Sequence, residues 1–171
     1  SLNFLIGPQL YCKSWNELSE QNIVPKVQCN IVYCKMTPPF YCTYLQSPKL
    51  LVKRLISGLN PNKVMALERL IKMHESRGDK IIVYADILFI LTQCANRLFV
   101  DGVKRRPIVT TKTPKDQIDS IFHRFLYSEE VSCLFMSRIV DKAIEIPPAN
   151  VLIQICSHLG KFLNHNVLRN Y

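Results

Sequence analysis

Three residues suited to contact phosphate groups, Thr110, Thr111 and Lys112, stand immediately before a predicted helix start. Hydroxyl groups and the free backbone N–H groups of a helix N-terminus donate hydrogen bonds, and phosphate oxygens accept them. The same residue types are also typical of an ordinary polar turn that binds no ligand. The sequence leaves both interpretations open at this position.

A second polar group follows the next apolar run, where Ser137 and Arg138 come directly after Met136. An arginine there could hold a phosphate through two parallel hydrogen bonds. A basic run, Lys104 to Arg106, precedes Thr110 and is either a patch that faces DNA or a solvated loop. Its position before Thr110 slightly favours DNA.

The charge of the whole chain points to the same class of partner. Its 171 residues include 22 Lys and Arg against 13 Asp and Glu, a net charge of +9. A surplus of this kind favours polyanions, because each neutralised phosphate releases counterions. The alternative is that the charge only keeps the protein soluble.

Several catalytic signatures are absent from the sequence. There is no G-x-x-x-x-G-K-[ST] phosphate loop, no G-x-G-x-x-G and no DExH-type acidic box after a strand. Nothing marks a Ser/His/Asp or Cys/His nucleophile set. The chain alone is therefore not expected to hydrolyse a nucleotide.

Cysteine usage and hydropathy indicate the compartment. The 7 Cys form no C-x-x-C, and the four His lie far in sequence from the Cys clusters, so a metal site is not expected. Their odd number and their placement inside apolar strands predict reduced, buried thiols in an intracellular compartment. No apolar run approaches the roughly 18 residues that a membrane span requires.

Strand and helix patterns alternate along the chain. Strands are predicted at 26–35, 80–85, 108–109, 132–136 and 151–155. Helices are predicted at 15–20, from Thr37, from Pro61 to near Gly78, from Asp86 as cap to about Leu98, and from Thr113. Such alternation favours right-handed crossovers and a parallel sheet in one three-layer α/β domain. The functional edge is expected where the loops after Ala85, Val109, Met136 and Ile155 converge.

The last of these predicted strands is largely apolar and is flanked by distinctive residues on both sides. Val151 to Ile155 follows a Pro-Pro turn and precedes Ser157 and His158. A short continuous apolar run predicts a strand that is buried on both faces.

Several quoted segments carry a family resemblance. They are LNFLIGPQLY, VPKVQCNIVYCKMTPPFY, NPNKVMALERLIKMHE, DKIIVYAD and PPANVLIQICSH. In this order they resemble the second motor lobe of the XPB family of superfamily 2 DNA helicases, from about Leu2 to His158. The resemblance implies one RecA-like domain over 1–171, a mostly parallel sheet flanked by helices, with 1–25 connecting it to a first lobe.

The resemblance also implies a function. Members are ATP-dependent DNA translocases of the transcription and repair factor TFIIH, acting in promoter opening and nucleotide excision repair in the nucleus. ATP and Mg²⁺ would be held mainly by a first lobe that carries the phosphate loop and acidic box. The expected partners are DNA, that first lobe and TFIIH-like subunits, with no membrane. The alternative is a non-catalytic lobe kept for protein interaction or for cationic binding of nucleic acid.

The family motifs assign roles to individual residues. By resemblance, Thr110, Thr111, Lys112, Ser137 and Arg138 contact DNA, while Asp141 and Glu145 lie near the nucleotide. The segment Tyr84-Ala85-Asp86 ends the strand of the family's motif IV, and Asp86 resembles the residue that follows that strand, although a helix cap is the simpler interpretation.

Two departures from the family pattern affect the coupling of ATP to DNA. Val140 replaces a glycine, and a β-branched residue resists the close backbone approach that glycine allows. In motif VI, Asn166 stands where the family has its first arginine, and Arg169 remains as the arginine-finger candidate. Lys161 could compensate in part, or be an ordinary surface lysine.

Overall fold

The computed structural model describes residues 13–21, 23, 26–98, 106–137 and 147–156. The chain divides after residue 32 into two units. The first contains helix α1 (Trp15–Glu20), as predicted. Ser14 caps this helix: its hydroxyl accepts from the Glu17 backbone N–H, and the Glu17 carboxylate accepts from the Ser14 N–H. This reciprocal pair satisfies two N–H groups that a helix start otherwise leaves unbonded.

The second unit contains a parallel sheet. Its strands are β1 (Ile81–Ala85), β2 (Ile108–Val109), β3 (Cys133–Met136) and β4 (Val151–Cys156), in the order β2-β3-β1-β4. All three pairings are parallel, and Val83 of β1 aligns with Phe135 on one side and Ile153 on the other. The predicted parallel α/β sheet is confirmed.

Five helices accompany the sheet in the described part of this unit. They are α2 (Pro38–Gln46), α3 (Leu50–Gly58), α4 (Pro61–Glu75), α5 (Leu88–Leu98) and α6 (Lys115–Tyr127). The separate helix α3 was not predicted. Ser47 is extended (φ −76°, ψ 120°) because it precedes Pro48, whose ring disfavours the helical conformation of the residue before it.

Two buried clusters give the three layers. On one face of the sheet, Val83 and Phe135 pack with apolar residues of α4 and α5, including Ile71 and Ile90. On the other face, the core residues are Ile82, Leu134 and Met136 with the buried residues of α6, Ile118, Phe122 and Phe125. Successive strand residues point to opposite faces, so β1 contributes to both clusters. The three-layer prediction is confirmed.

The prediction for β4 is wrong in one respect, its degree of burial. Within the described residues β4 lies at the edge of the sheet and pairs only with β1. Ile155 is buried, whereas Val151, Leu152 and Ile153 are only half-buried. An apolar run indicates that a strand contacts both core layers. It does not indicate whether a further strand pairs with the strand's outer edge.

The predicted strand at 26–35 is also wrong. This segment has no strand structure, and Val27, Ile31 and Tyr33 are exposed. Alternation of apolar and polar residues indicates two different faces, but a strand also needs a neighbour to complete its backbone hydrogen bonds. Side chains hold its end instead: the Asn60 and Asn62 amides donate to the Lys35 carbonyl at 2.9 and 2.8 Å.

The cysteine prediction holds for part of the set. Cys94 and Cys133 are buried free thiols, and burial raises their pKa values to about 11 and about 12. Cys29 and Cys42 are exposed, because they lie on segments without a core contact. None of the described helices is both long and apolar enough to cross a bilayer.

Gly58 provides a test of the packing between α3 and α5. A Cβ atom at this position would lie 2.4 Å from Ile90 Cδ1 and 3.1 Å from Cγ1, and Ile90 is fully buried. We expect Gly58→Ala to lower the free energy of unfolding by about 1–3 kcal/mol, as overpacking does. Urea unfolding measures the change.

The double variant Gly58→Ala/Ile90→Val is the matched control, since valine lacks the clashing Cδ1 methyl. It should be less destabilised than the sum of the two single changes. Strict additivity would show that Ile90 is not the source of the strain.

Candidate functional site

The carboxyl ends of the four strands define one edge of the sheet, and we call it the carboxyl edge. Because all pairings are parallel, Ala85, Val109, Met136 and Cys156 end their strands there. The strand order places the residues after β2 beside those after β3, and the residue after β1 beside the end of β4. The carboxyl edge therefore has two halves, each joining elements distant in sequence.

A hydroxyl-stabilised turn follows β2 in the first half. The Thr113 hydroxyl oxygen accepts from the Thr110 backbone N–H at 3.0 Å, and it lies 3.3 Å from the Thr110 hydroxyl. The Thr110 hydroxyl also accepts from the Lys112 N–H at 3.2 Å. These bonds fix a compact turn immediately before α6. The helix was expected to start from Thr113; it begins at Lys115, and the Thr113 side chain shapes the turn before it.

The turn divides the predicted phosphate-contacting residues into two groups. Thr110 uses its hydroxyl inside the turn, so its part is to shape the loop. Thr111 and Lys112 are exposed, and their side chains have no partner within the described residues. They are the groups that could meet an external phosphate. The polar-turn and phosphate interpretations are therefore compatible, because different residues satisfy each.

Helix α6 begins next to these two residues. Its N-cap residue is Pro114, which has no side-chain donor or acceptor to cap the first turn. Uncapped N–H groups and the helix dipole favour a nearby anion, although Asp116 in the first turn already supplies one negative charge.

Ser137 joins the first half from β3. Its backbone N–H donates to the Val109 carbonyl at 3.1 Å, which holds it beside the residue that precedes Thr110. Ser137 itself is buried. The structure thus brings Ser137 to the Thr110 turn, and its buried position favours a role in holding the loop. Arg138, which follows it, lies outside the described residues, as do Asp141, Glu145 and Arg169.

An ion pair that the sequence did not indicate occupies the second half. Arg54 Nη2 of α3 pairs with the Asp86 carboxylate, which follows β1. The Cys156 thiol at the end of β4 donates to Asp86 Oδ1 at 3.1 Å. The predicted role of Asp86 as a cap is wrong, because helix α5 begins at Leu88 and both carboxylate oxygens bond to other elements.

The thiol of this cluster is a proton donor at neutral pH. Burial raises the pKa of Cys156 to about 11, and the hydrogen bond to Asp86 and its negative charge act in the same direction. The protonated thiol and the guanidinium therefore both stabilise the Asp86 carboxylate. No local pattern identified Arg54, since an arginine in an amphipathic helix is normally a solvated charge.

The basic run before β2 is not a uniform patch. Arg106 is buried at the opposite edge of the sheet, where Nη2 and Nε donate to the Glu75 carboxylate at 2.9 and 3.3 Å. Its Nη1 donates to the Leu98 carbonyl at 3.3 Å. The DNA-facing interpretation of Arg106 is therefore wrong, while Lys104 and Arg105 lie outside the described residues.

The donor set at the carboxyl edge fits anions better than a metal ion. No group of three or more His, Cys, Asp and Glu side chains in the described ranges could hold a metal. Asp86 is committed to Arg54 and Cys156. Lys112 and Arg54 supply positive charge, as does Lys63, whose Nζ donates to the Ile155 carbonyl of β4. Phosphate groups therefore fit this edge.

Comparison with known proteins gives the family. The profile of the ERCC3/RAD25/XPB C-terminal helicase domain matches residues 18–163. The chain is 43% identical over 160 residues to a relative from Arabidopsis thaliana, the general transcription and DNA repair factor IIH helicase/translocase subunit XPB1. It is 40% identical over 159 residues to the XPB subunit of Drosophila melanogaster. Each alignment covers 93% of this chain, which spans only about a fifth of the length of either relative, 20% and 19%.

Solved structures share the fold. The SWI2/SNF2 ATPase core domain of Sulfolobus solfataricus superposes with a TM-score of 0.63 at 17% identity, covering 72% of this chain and 33% of that one. The C-terminal domain of the same ATPase gives 0.58 at 18% identity, covering 72% of this chain and 69% of that one. The predicted RecA-like architecture is thereby confirmed.

Proposed function

The chain belongs to the ERCC3/RAD25/XPB C-terminal helicase family, and from this premise we propose that it is the second motor lobe of an ATP-dependent DNA helicase or translocase. Its cellular roles would be promoter opening in transcription initiation and nucleotide excision repair, in the nucleus. Residues 1–25 would connect it to a first RecA-like lobe. Besides DNA and that lobe, its partners would be TFIIH-like subunits.

One observation carries the DNA-binding part of the proposal. The turn after β2 is fixed by its own hydroxyl groups, yet it leaves Thr111 and Lys112 exposed at the carboxyl edge beside the start of α6. A preformed turn loses little conformational entropy when it contacts a phosphate. DNA would run across this turn and the segment 137–141, with Arg138 as a bidentate phosphate contact.

The nucleotide part follows from the distribution of charge. ATP would sit between the two lobes, with Mg²⁺ held by carboxylates of the first lobe, because the described carboxyl edge has no uncommitted cluster of acids. Mg²⁺ neutralises charge on the β- and γ-phosphates when it is bound. From this lobe, Asp141 and Glu145 would lie near the nucleotide, and Arg169 would contact the transferring phosphoryl group.

Hydrolysis of ATP by the full-length protein, with and without double-stranded DNA, tests the proposal. We expect turnover to be stimulated by DNA. A full-length protein that binds DNA without any ATP turnover would instead be a non-catalytic lobe retained for interaction.

The exposed lysine of the turn gives a specific prediction for DNA. We expect Lys112→Ala to weaken binding similarly for different sequences and to reduce the slope of log K against log salt by about 1, as loss of one phosphate contact does. Fluorescence anisotropy over a salt series measures both.

Lys72→Ala is the matched control, because Lys72 is an exposed lysine of α4 that pairs with Glu68 at 2.6 Å. This control should leave the slope unchanged. Equal effects of the two variants would mean that only net charge matters and that the turn is not a contact.

A further inference from the structure

Arg54 is held at the carboxyl edge by a single nitrogen. Its Nη2 pairs with Asp86, whose side chain is only 6% exposed, while the Arg54 side chain keeps 19% exposure. A guanidinium has five N–H donors. Its Nε and Nη1 have no partner within the described residues, so most of this donor capacity is unused.

Arg106, before β2, is an arginine with a purely structural role and serves as a comparison. At the opposite edge its Nε and Nη2 both bond to Glu75, and its Nη1 bonds to the Leu98 carbonyl. All three of its nitrogens are therefore used by the fold. Arg54 differs, since Asp86 divides its two oxygens between the guanidinium and the Cys156 thiol.

A second cation lies at the same end of β4. Lys63, in the first turn of α4, donates from Nζ to the Ile155 carbonyl at 3.3 Å. Arg54 therefore lies against Asp86, and Lys63 lies at the carbonyl of the residue that precedes Cys156. Since Cys156 is protonated at neutral pH, Arg54, Lys63, Asp86 and Cys156 together carry a net positive charge.

We propose that Arg54 and Lys63 form a phosphate-binding pair for the nucleotide, an inference that rests on the proposed motor function. In parallel α/β sheets, ligands bind outside the carboxyl ends of the strands, where both side chains lie. Asp86 orients Arg54, and the remaining N–H groups of the Arg54 guanidinium bind phosphate oxygens.

Steady-state ATP hydrolysis by the full-length protein with saturating DNA tests the pair. We expect Arg54→Ala to raise KM for ATP by about tenfold or more, because a charge-assisted contact to phosphate is lost. The value of kcat should fall less than KM rises, and Arg54→Lys should recover part of the affinity. Lys63→Ala should raise KM as well, and it leaves the Arg54–Asp86 pair intact.

Arg106→Ala and Arg77→Ala are the controls. The first removes a buried ion pair and should lower thermal stability without changing KM, and the second removes an exposed arginine and should change neither. An unchanged KM in both Arg54→Ala and Lys63→Ala would overturn the proposal and leave Arg54 as a fold-stabilising residue.

Two further measurements separate this inference from the proposed function. Binding of a non-hydrolysable ATP analogue by Lys63→Ala gives a readout even if Arg54→Ala fails to fold, and unchanged affinity there contradicts the pair. DNA affinity should be the same in wild type and in both variants. Absence of ATP turnover in the wild type would instead defeat the motor function itself.

Discussion

Replacing Arg169 with alanine is expected to lower DNA-stimulated ATP turnover by about 10³-fold, at the lower end of what an arginine finger contributes. The guanidinium would balance charge that develops on the transferring phosphoryl group. Its loss should therefore act on kcat, whereas the loss of Arg54 should act on KM. Single-turnover hydrolysis by the full-length protein at saturating ATP and DNA measures the effect.

Asn166→Arg is the complementary variant for the same motif. By resemblance to the family motif, Asn166 stands at an arginine position, so we expect the added charge to raise kcat above the wild-type value. Arg77→Ala, an exposed arginine of the second unit, should leave kcat unchanged. No loss in Arg169→Ala together with no gain in Asn166→Arg would remove this motif from the mechanism.

Replacing Arg138 with alanine is expected to weaken DNA binding by about tenfold or more, the effect of losing one charge-assisted bidentate contact. The residue follows Ser137, whose backbone is bonded to Val109 beside the Thr110 turn. The slope of log K against log salt should decrease by about 1. Anisotropy titrations over a salt series give both quantities.

The double variant Arg138→Ala/Lys112→Ala extends this test. If both residues contact the same DNA backbone, the slope should decrease by about 2, one for each phosphate contact. Affinity that does not depend on salt in the wild type would rule out a cationic DNA groove altogether.

Local patterns predicted the elements whose burial and hydrogen bonds are satisfied nearby. Helix α1 has the predicted bounds, and β1, β2 and β3 agree within one residue at each end. Local patterns gave wrong predictions where strand formation or burial depends on a neighbouring strand. No described strand pairs with the alternating segment 26–35, and β4 is only half-buried because it is an edge strand in the described sheet.

The candidate site divides in the same way. The sequence placed Thr111 and Lys112 before a helix, and the structure keeps them exposed there. The sequence also grouped Arg106 with its basic neighbours, because a run of like residues looks uniform along the chain. Tertiary contacts instead bury it against Glu75, which is distant in sequence.

The sequence by itself determined the family and most of the strands and helices, because both depend on residue types at short spacing. Only the tertiary structure decided which charges act together. Arg54, Asp86 and Cys156 come from α3, the end of β1 and the end of β4, and parallel pairing brings them to one edge. Charge interactions depend on distance in space, and only the folded sheet fixes those distances.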